Sequence, residues 1–347
     1  FVVGAMNECA KKNIKNVIIV SAGFSEIGNT KGEQELIEIA NKNNIRFIGP
    51  NCFGICNPYR ELDTTFSATG PKKGNIAFIS QSGALWSYLS DFCGDKKIGF
   101  SGFVSLGNMG DLGFNDFIEY FSEDKNTKNI LLYVEKLKDG KKFIKACKKC
   151  KKPIYAIKAG SSEVGSKAAF SHTASLASDY EIYRGAFKQA GVILCDSLLE
   201  ALEKMTGKKI IDVKPNSVVI GKKVFIITNA GGAGALLSDY LSKKGFEVVK
   251  QPWDIIGTAT GSDYFNALEK IKAETFYDSI LVLLTPQSMT EIKKTAEAIT
   301  TFRDFTKKSV VALFLGKEAV GEATPIFEEA GIPYFNTLEE AREVLSF

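Results

Sequence analysis

The chain has 347 residues, 44 Lys+Arg against 40 Asp+Glu, a formal charge of +4 and a single histidine. Its length predicts two or three domains, and 45% hydrophobic with 24% charged residues excludes a disordered or collagen-like chain. The weak positive balance gives no argument for nucleic acid, the apolar runs are too short to span a membrane, and one imidazole excludes a zinc site needing two.

Short apolar strands alternate with helical patterns along the chain. Val17–Val20 reads as a strand, residues 32–43 as a helix, and residues 46–48 as a strand ending at Gly49-Pro50-Asn51. A Ser/Thr/Gly/Pro/Lys stretch over 63–74 separates this part from the next. The next unit predicts strands over 75–79, 103–106, 130–135, 154–158 and 192–195. Helices are predicted over 83–92, 114–121, 140–150, 180–189 and 198–205. Residues 158–177 read as a long small-residue loop holding His172. A linker over 207–222 carries Pro215. The last third repeats the rhythm, with strands over 224–228, 279–284 and 310–315 and helices over 233–243, 289–302 and 319–330. Such alternation predicts an α/β fold of doubly wound parallel sheets with helices on both faces. Ligands are then expected where strands turn into helices.

An internal repeat sharpens that expectation. Ser80-Gln81-Ser82-Gly83-Ala84-Leu85 follows one strand and Asn229-Ala230-Gly231-Gly232-Ala233-Gly234-Ala235-Leu236 another. Small residues opening a helix either let backbone N–H groups receive an anion or merely let helix and sheet pack closely; the repetition favours the anion. Neither copy is a P-loop or a complete dinucleotide fingerprint.

His172 sits among small residues in the segment after a buried strand. A neutral imidazole attacks phosphorus well when a carboxylate fixes its other nitrogen, and Glu135 at a strand end can supply that carboxylate, or simply meet solvent. The seven cysteines, an odd count in a long chain, point to a reducing, cytoplasmic setting. Cys147 and Cys150 share helical spacing with Phe143 in a lysine-rich run, which reads as a buried helix face rather than a redox or metal pair. Cys52 reads as buried filler more readily than as a nucleophile.

Taken together, Gly49-Pro50-Asn51-Cys52, Ile79-Ser80-Gln81-Ser82-Gly83-Ala84-Leu85, Lys158-Ala159-Gly160 and Ser171-His172-Thr173-Ala174-Ser175-Leu176-Ala177 resemble the α subunit of ADP-forming acyl-CoA (acetyl-CoA) synthetases, relatives of succinyl-CoA synthetase. Thr228-Asn229-Ala230-Gly231-Gly232 and Pro252-Trp253-Asp254-Ile255-Ile256-Gly257 extend the resemblance to the last third. The resemblance implies a partial Rossmann-like CoA-binding domain over 1–70 lacking its N-terminal part, a flavodoxin-like phosphohistidine domain over 71–207, a linker over 208–222 and a second flavodoxin-like domain over 223–347.

It also implies the chemistry. Acyl-CoA and phosphate give an acyl phosphate, His172 takes the phosphoryl group, Glu135 steadies it, and ADP receives it. The turns at Ser80, Gln81, Ser82 and Gly83 and at Asn229, Ala230, Gly231, Gly232, Ala233 and Gly234 would hold phosphate. Ser21, Ala22, Gly23, Asn51 and Cys52 would lie near coenzyme A. No ATP-grasp region is present, so ADP/ATP and Mg2+ are expected on a β subunit or a fused second half, in a hetero-oligomer or a dimer of fused chains. The link from Val249 to Trp253 is shorter than is usual in the family. Three other readings compete: a ligand-sensing regulatory module without phosphoryl transfer, a nicotinamide-dependent oxidoreductase, and a structural scaffold.

Overall fold

The computed structural model describes the backbone of residues 1–173, 180–210 and 217–347, and their side chains apart from those of residues 169–173. Part of the linker read from the sequence, including Pro215, therefore lies outside the described residues. So does the Ala174–Ala177 end of the histidine segment.

The first part is a small α/β unit. Strands Asn16–Ile18 and Arg46–Ile48 pair in parallel, with helices Val2–Lys11 and Thr30–Asn43 beside them. Asn29 caps the second helix by accepting from the Gly32 N–H, and Asn44 closes it in the left-handed conformation that asparagine tolerates. Met6, Phe24, Leu36, Ala40, Ile45 and Phe47 form its own core.

The middle part is a seven-stranded sheet. Its order is Leu62–Asp63, Ile55–Asn57, Phe100–Ser105, Lys73–Ser80, Asn129–Val134, Ile154–Lys158 and Ile193–Leu194. The last five strands run parallel, as the alternation predicts. The edge departs from that expectation, because Ile55–Asn57 pairs antiparallel with both its neighbours. Residues 55–63 are joined by the tight turn Pro58–Arg60, which leaves no room for the crossover helix a parallel pair requires.

The last part is a parallel sheet ordered Glu247–Val248, Lys223–Thr228, Ser279–Leu284, Ser309–Phe314 and Tyr334–Phe335. Ser279–Leu284 is buried along its whole length, which is why it reads as an unbroken apolar run rather than an alternating one. Trp253–Asp254 adds to the carboxyl end of Lys223–Thr228. Helices Gly261–Ile271 and Leu338–Val344 escaped the sequence reading, although both begin with capping boxes, Thr260/Asp263 and Thr337/Glu340.

The stretch read as a loop contains helix Glu163–Thr173, which carries His172 near its end. Ser162 starts it by accepting the Gly165 N–H at 3.0 Å. Its small residues show no apolar period because the helix packs closely on helix Gly231–Lys243; a Cβ at Gly165 would collide with the Asp239 carboxylate. Close tertiary packing, not propensity, makes this helix.

The middle and last parts share a core. Helix Ala84–Asp95 lies against helix Gly231–Lys243, and Tyr88, Leu89, Leu236, Leu237 and Tyr240 belong to one buried cluster. The buried Asp91 adds a polar tie across the same boundary, accepting N–H groups from Lys317 and Ala319. The two repeated turns are thereby held face to face.

Candidate active site

Each repeated turn begins with a hydroxyl at the last position of a strand. Ser80 Oγ accepts the Ser82 N–H at 3.1 Å and donates to the Ser82 carbonyl at 2.6 Å. Thr228 Oγ1 accepts the Ala230 N–H at 2.9 Å and donates to the Ala230 carbonyl at 3.3 Å. These hydroxyl turns lift the chain off the sheet and aim helices Ala84–Asp95 and Gly231–Lys243 toward the same space. The turns touch: an added Cβ on Gly232 would lie 2.5 Å from Ser82 Oγ, so only glycine permits this approach. Tyr133 fastens the contact by donating its hydroxyl to the Gly232 carbonyl at 3.1 Å.

Between them opens a cavity of about 400 Å³. Its walls bring together residues far apart in sequence: Gln81, Ser82 and Gly83 from one turn, Asn229, Ala230 and Gly231 from the other, and Glu135. Ser21, Ala22, Asn51 and Cys52 of the first unit close another side, with Asn108, Asp254 and Gln287. Ser80, Gly232, Ala233 and Gly234 stand behind the walls as buried supports, and Gly23 lies outside the lining. Residues from all three parts therefore meet at the carboxyl ends of the parallel strands, where such folds receive ligands. His172 is carried by helix Glu163–Thr173, and its imidazole lies outside the described residues.

The electrostatics around the cavity are unusual. Glu135 is only 6% exposed at the end of strand Asn129–Val134. Its field, after burial itself, helps push the Tyr133 phenol well above its ordinary range. Lys158, at the end of the neighbouring strand, lies over the Tyr183 ring at 4.5 Å and donates to the Ala159 carbonyl. Burial pushes its ammonium down to about 8, against the opposing pull of Glu135 and Asp239. Asp239 was not singled out from sequence, yet it accepts the N–H groups of Gly160, Ser161 and Ser162 and the Ser162 hydroxyl, at 2.7–3.0 Å. It fixes the start of the helix that carries His172. The signal for it was present: a carboxylate inside a helix buried on every side must be paired.

On the first-unit side, Asn108 Nδ2 bonds the carboxylates of Glu26 and Glu33. Burial opposes ionisation of Glu26, but Asn108 and the N–H groups of Gly23 and Phe24 outweigh it and hold its carboxyl below the usual range. Cys52 is buried, donates to the Ile19 carbonyl, and burial pushes its thiol up to about 11. A thiol so protonated is a poor nucleophile at neutral pH. Cys147 is likewise pushed up, to about 12, chiefly by burial, on the apolar face of its helix beside Phe143. Among the described residues, no group of three or more His, Cys, Asp or Glu side chains is placed to hold a metal.

The arrangement has parts suited to a phosphorylated ligand: two helix N-termini, a buried carboxylate and small-residue turns along the wall. Comparison with known proteins places the chain in a family. Residues 73–206 match the family of the succinyl-CoA ligase like flavodoxin domain. The chain is 39% identical to the α subunit of acetate–CoA ligase [ADP-forming] II of Pyrococcus furiosus, over 98% of this chain and 79% of that one. The chain belongs to the ADP-forming acetate–CoA ligase family. It is also 39% identical to the acetate–CoA ligase [ADP-forming] of Methanocaldococcus jannaschii, covering 98% of this chain and 51% of that protein. The chain thus spans about half the length of that relative and about four-fifths of the Pyrococcus furiosus α subunit. Among solved structures, the dinucleotide forming acetyl-coenzyme A synthetase 1 of Ca. Korarchaeum cryptofilum, in complex with phosphate and ADP, superposes with a TM-score of 0.57. It is 31% identical and covers 99% of this chain and 78% of that one. Among the described residues, no helix of this ligase part is long and apolar enough to cross a membrane.

Proposed function

We propose that this chain is the acyl-CoA-cleaving, phosphohistidine-bearing part of a cytoplasmic ligase that converts acyl-CoA, ADP and phosphate to free acid, CoA and ATP. Acetyl-CoA is the acyl donor. The observation that carries this reading is the cavity in which both helix N-termini, Glu135 and the Ser21, Ala22, Asn51 and Cys52 turns converge.

A phosphate oxygen attacks the thioester carbonyl carbon, the C–S bond breaks, and CoA leaves as thiolate. The acyl phosphate stays between the helix N-termini, whose N–H groups and dipoles stabilise the dianion. A nitrogen of the neutral His172 imidazole then attacks phosphorus and releases the carboxylate of the free acid. Glu135 orients the ring and stabilises its positive charge. Ser80, Gln81, Ser82 and Gly83 serve the phosphoryl group from one side, and Asn229, Ala230, Gly231, Gly232, Ala233 and Gly234 from the other, as lining or as support. Ser21, Ala22, Gly23, Asn51 and Cys52 belong to the CoA side.

ADP and Mg2+ are held by an ATP-grasp partner, either a β subunit or a fused second half; the α-subunit name of the Pyrococcus furiosus relative supports such an assembly. The working division is a CoA-binding part over 1–70, of which the hairpin over 55–63 is built into the sheet of the next part, a phosphohistidine domain over 71–207, a linker over 208–222 and a second flavodoxin-like domain over 223–347.

The test is to incubate the complete enzyme with acetyl-CoA and radiolabelled phosphate. An acid-labile, base-stable label is expected on this chain, and His172→Asn abolishes it, since the chain holds one imidazole. Label that persists in that variant, or never forms in the wild type, refutes the reading. Glu135→Gln slows labelling without unfolding the chain; normal labelling would remove Glu135 from the site.

A further inference from the structure

The two repeated turns each carry a side-chain amide directly after the strand, and the two amides are used differently. Asn229 is spent on the protein at both ends. Its Oδ1 accepts the Thr285 N–H at 2.9 Å, and its Nδ2 donates to the Thr285 carbonyl and to Gln287 Oε1, both at 3.0 Å. Gln81 is spent at one end only. Its Oε1 accepts the N–H groups of Glu135 at 2.7 Å and Lys136 at 2.9 Å. Two N–H donors on one atom require that atom to be oxygen, so the amide cannot be flipped. Its Nε2 is left buried with no partner among the described residues, although the residue is only 7% exposed and lines the cavity.

A buried, unpartnered amide donor costs free energy unless something arrives to accept from it. The other amides lining the cavity have acceptors already: Asn51 on Asn108, Asn108 on Glu26 and Glu33, Asn229 as above, and Gln287 on Thr285 Oγ1. Gln81 Nε2 is thus a donor reserved for a ligand, locked in direction by the strand end it grips. A dianionic phosphoryl group is already served by two helix N-termini. One neutral donor suits a single oxygen that is neutral on binding and becomes negative only as the reaction proceeds.

We infer that Gln81 is a catalytic residue whose Nε2 donates to the acyl carbonyl oxygen of the thioester. This rests on the reaction assigned above. When a phosphate oxygen forms its bond to the carbonyl carbon, the π pair moves onto that oxygen, and Gln81 stabilises the charge. The pair returns as the C–S bond breaks and CoA leaves as thiolate.

The test uses both directions of histidine labelling in the complete enzyme. Acetyl-CoA with labelled phosphate requires the carbonyl step; ATP labelled on its terminal phosphate does not. Gln81→Glu keeps an oxygen for the Glu135 and Lys136 N–H groups but removes the donor. Gln81→Ala removes both without adding charge. Both variants should lose labelling from acetyl-CoA by about 10²–10³-fold, the usual consequence of deleting one oxyanion donor. Gln81→Ala should lose labelling from ATP at least about tenfold less than labelling from acetyl-CoA, because only the latter passes through the carbonyl step. Forward labelling that survives in either variant overturns the assignment, and so does an equal loss in both directions in Gln81→Ala. A wild-type enzyme that labels from neither side instead refutes the assigned reaction itself, and the role of Gln81 falls with it.

Discussion

The turn after Lys73–Ser80 and the turn after Lys223–Thr228 are built alike and finished differently. In both, the last hydroxyl of the strand wraps the next two residues and a side-chain amide reaches the end of the adjacent strand. In the second turn that amide is saturated by protein; in the first it keeps one donor for the cavity. The second copy behaves as a structural clamp, the first as a clamp with a ligand-facing arm. The repeat thus supplies a matched pair of small-residue helix starts, and a change of side-chain length and partners sets their amides to different uses.

Asp239 sits on the helix of the second turn but grips the segment leading to His172. Asp239→Ala strips the acceptor from three N–H groups and a hydroxyl. It should destabilise the protein by at least about 3 kcal/mol in urea unfolding, since each charged hydrogen bond contributes about 1.5–3 kcal/mol. An unchanged midpoint would mean that water replaces the carboxylate without loss.

Next comes the pair of amides. Asn229→Ala leaves the buried Thr285 N–H and carbonyl without their Asn229 partners and should cost about 1–3 kcal/mol. Gln81→Ala removes an unsatisfied donor along with two bonds, so its unfolding midpoint should fall distinctly less. Equal losses would erase the distinction between clamp and arm.

A smaller effect is expected from Lys158, which lies nearer the first turn. Its ammonium is depressed to about 8 in the folded chain against an ordinary value of 10.5. Below about pH 8 both states hold the proton and no slope arises. Between there and the ordinary value the unfolded chain keeps a proton the folded chain has released, so stability rises with pH across that window. Lys158→Met should flatten this rise in pH-dependent denaturation curves. A wild-type curve already flat there would place Lys158 in a more solvated setting.

The smallest response belongs to Cys52, on the first-unit wall. Its buried thiol, pushed up to about 11, should resist iodoacetamide at neutral pH in the folded chain. Peptide mapping after brief alkylation reads this directly, and rapid modification at Cys52 would show an open wall.

Much of this was legible in the residue string. The alternation of short apolar runs with helical patterns carries the parallel sheets, because strands covered on both faces must be apolar throughout. The doubled Ser80 and Asn229 turns point to the two helix starts that meet at the cavity. The edge hairpin over 55–63 was not legible as part of the middle sheet, because its strands are only three and two residues long and its pairing is settled by the neighbour it meets. Helix Glu163–Thr173 was missed because Gly165, Ser166 and Ala168 have no apolar stripe to betray them. Asp239 looked like one acid in a leucine-rich helix until the Gly160–Ser162 backbone came down on it.

By itself, then, the sequence determined which chemical groups are on hand: one imidazole, two small-residue helix starts and a β–α rhythm that sends both to the same edge of their sheets. Those follow from local pattern, where each residue's preference depends on near neighbours. Only the tertiary structure decided which atoms are committed and which are free. Gln81 meets its N–H donors 54 and 55 residues away, and Asp239 meets its own 77–79 residues away. A hydrogen bond is satisfied or orphaned by the groups that packing delivers to it, and that delivery is a property of the folded chain.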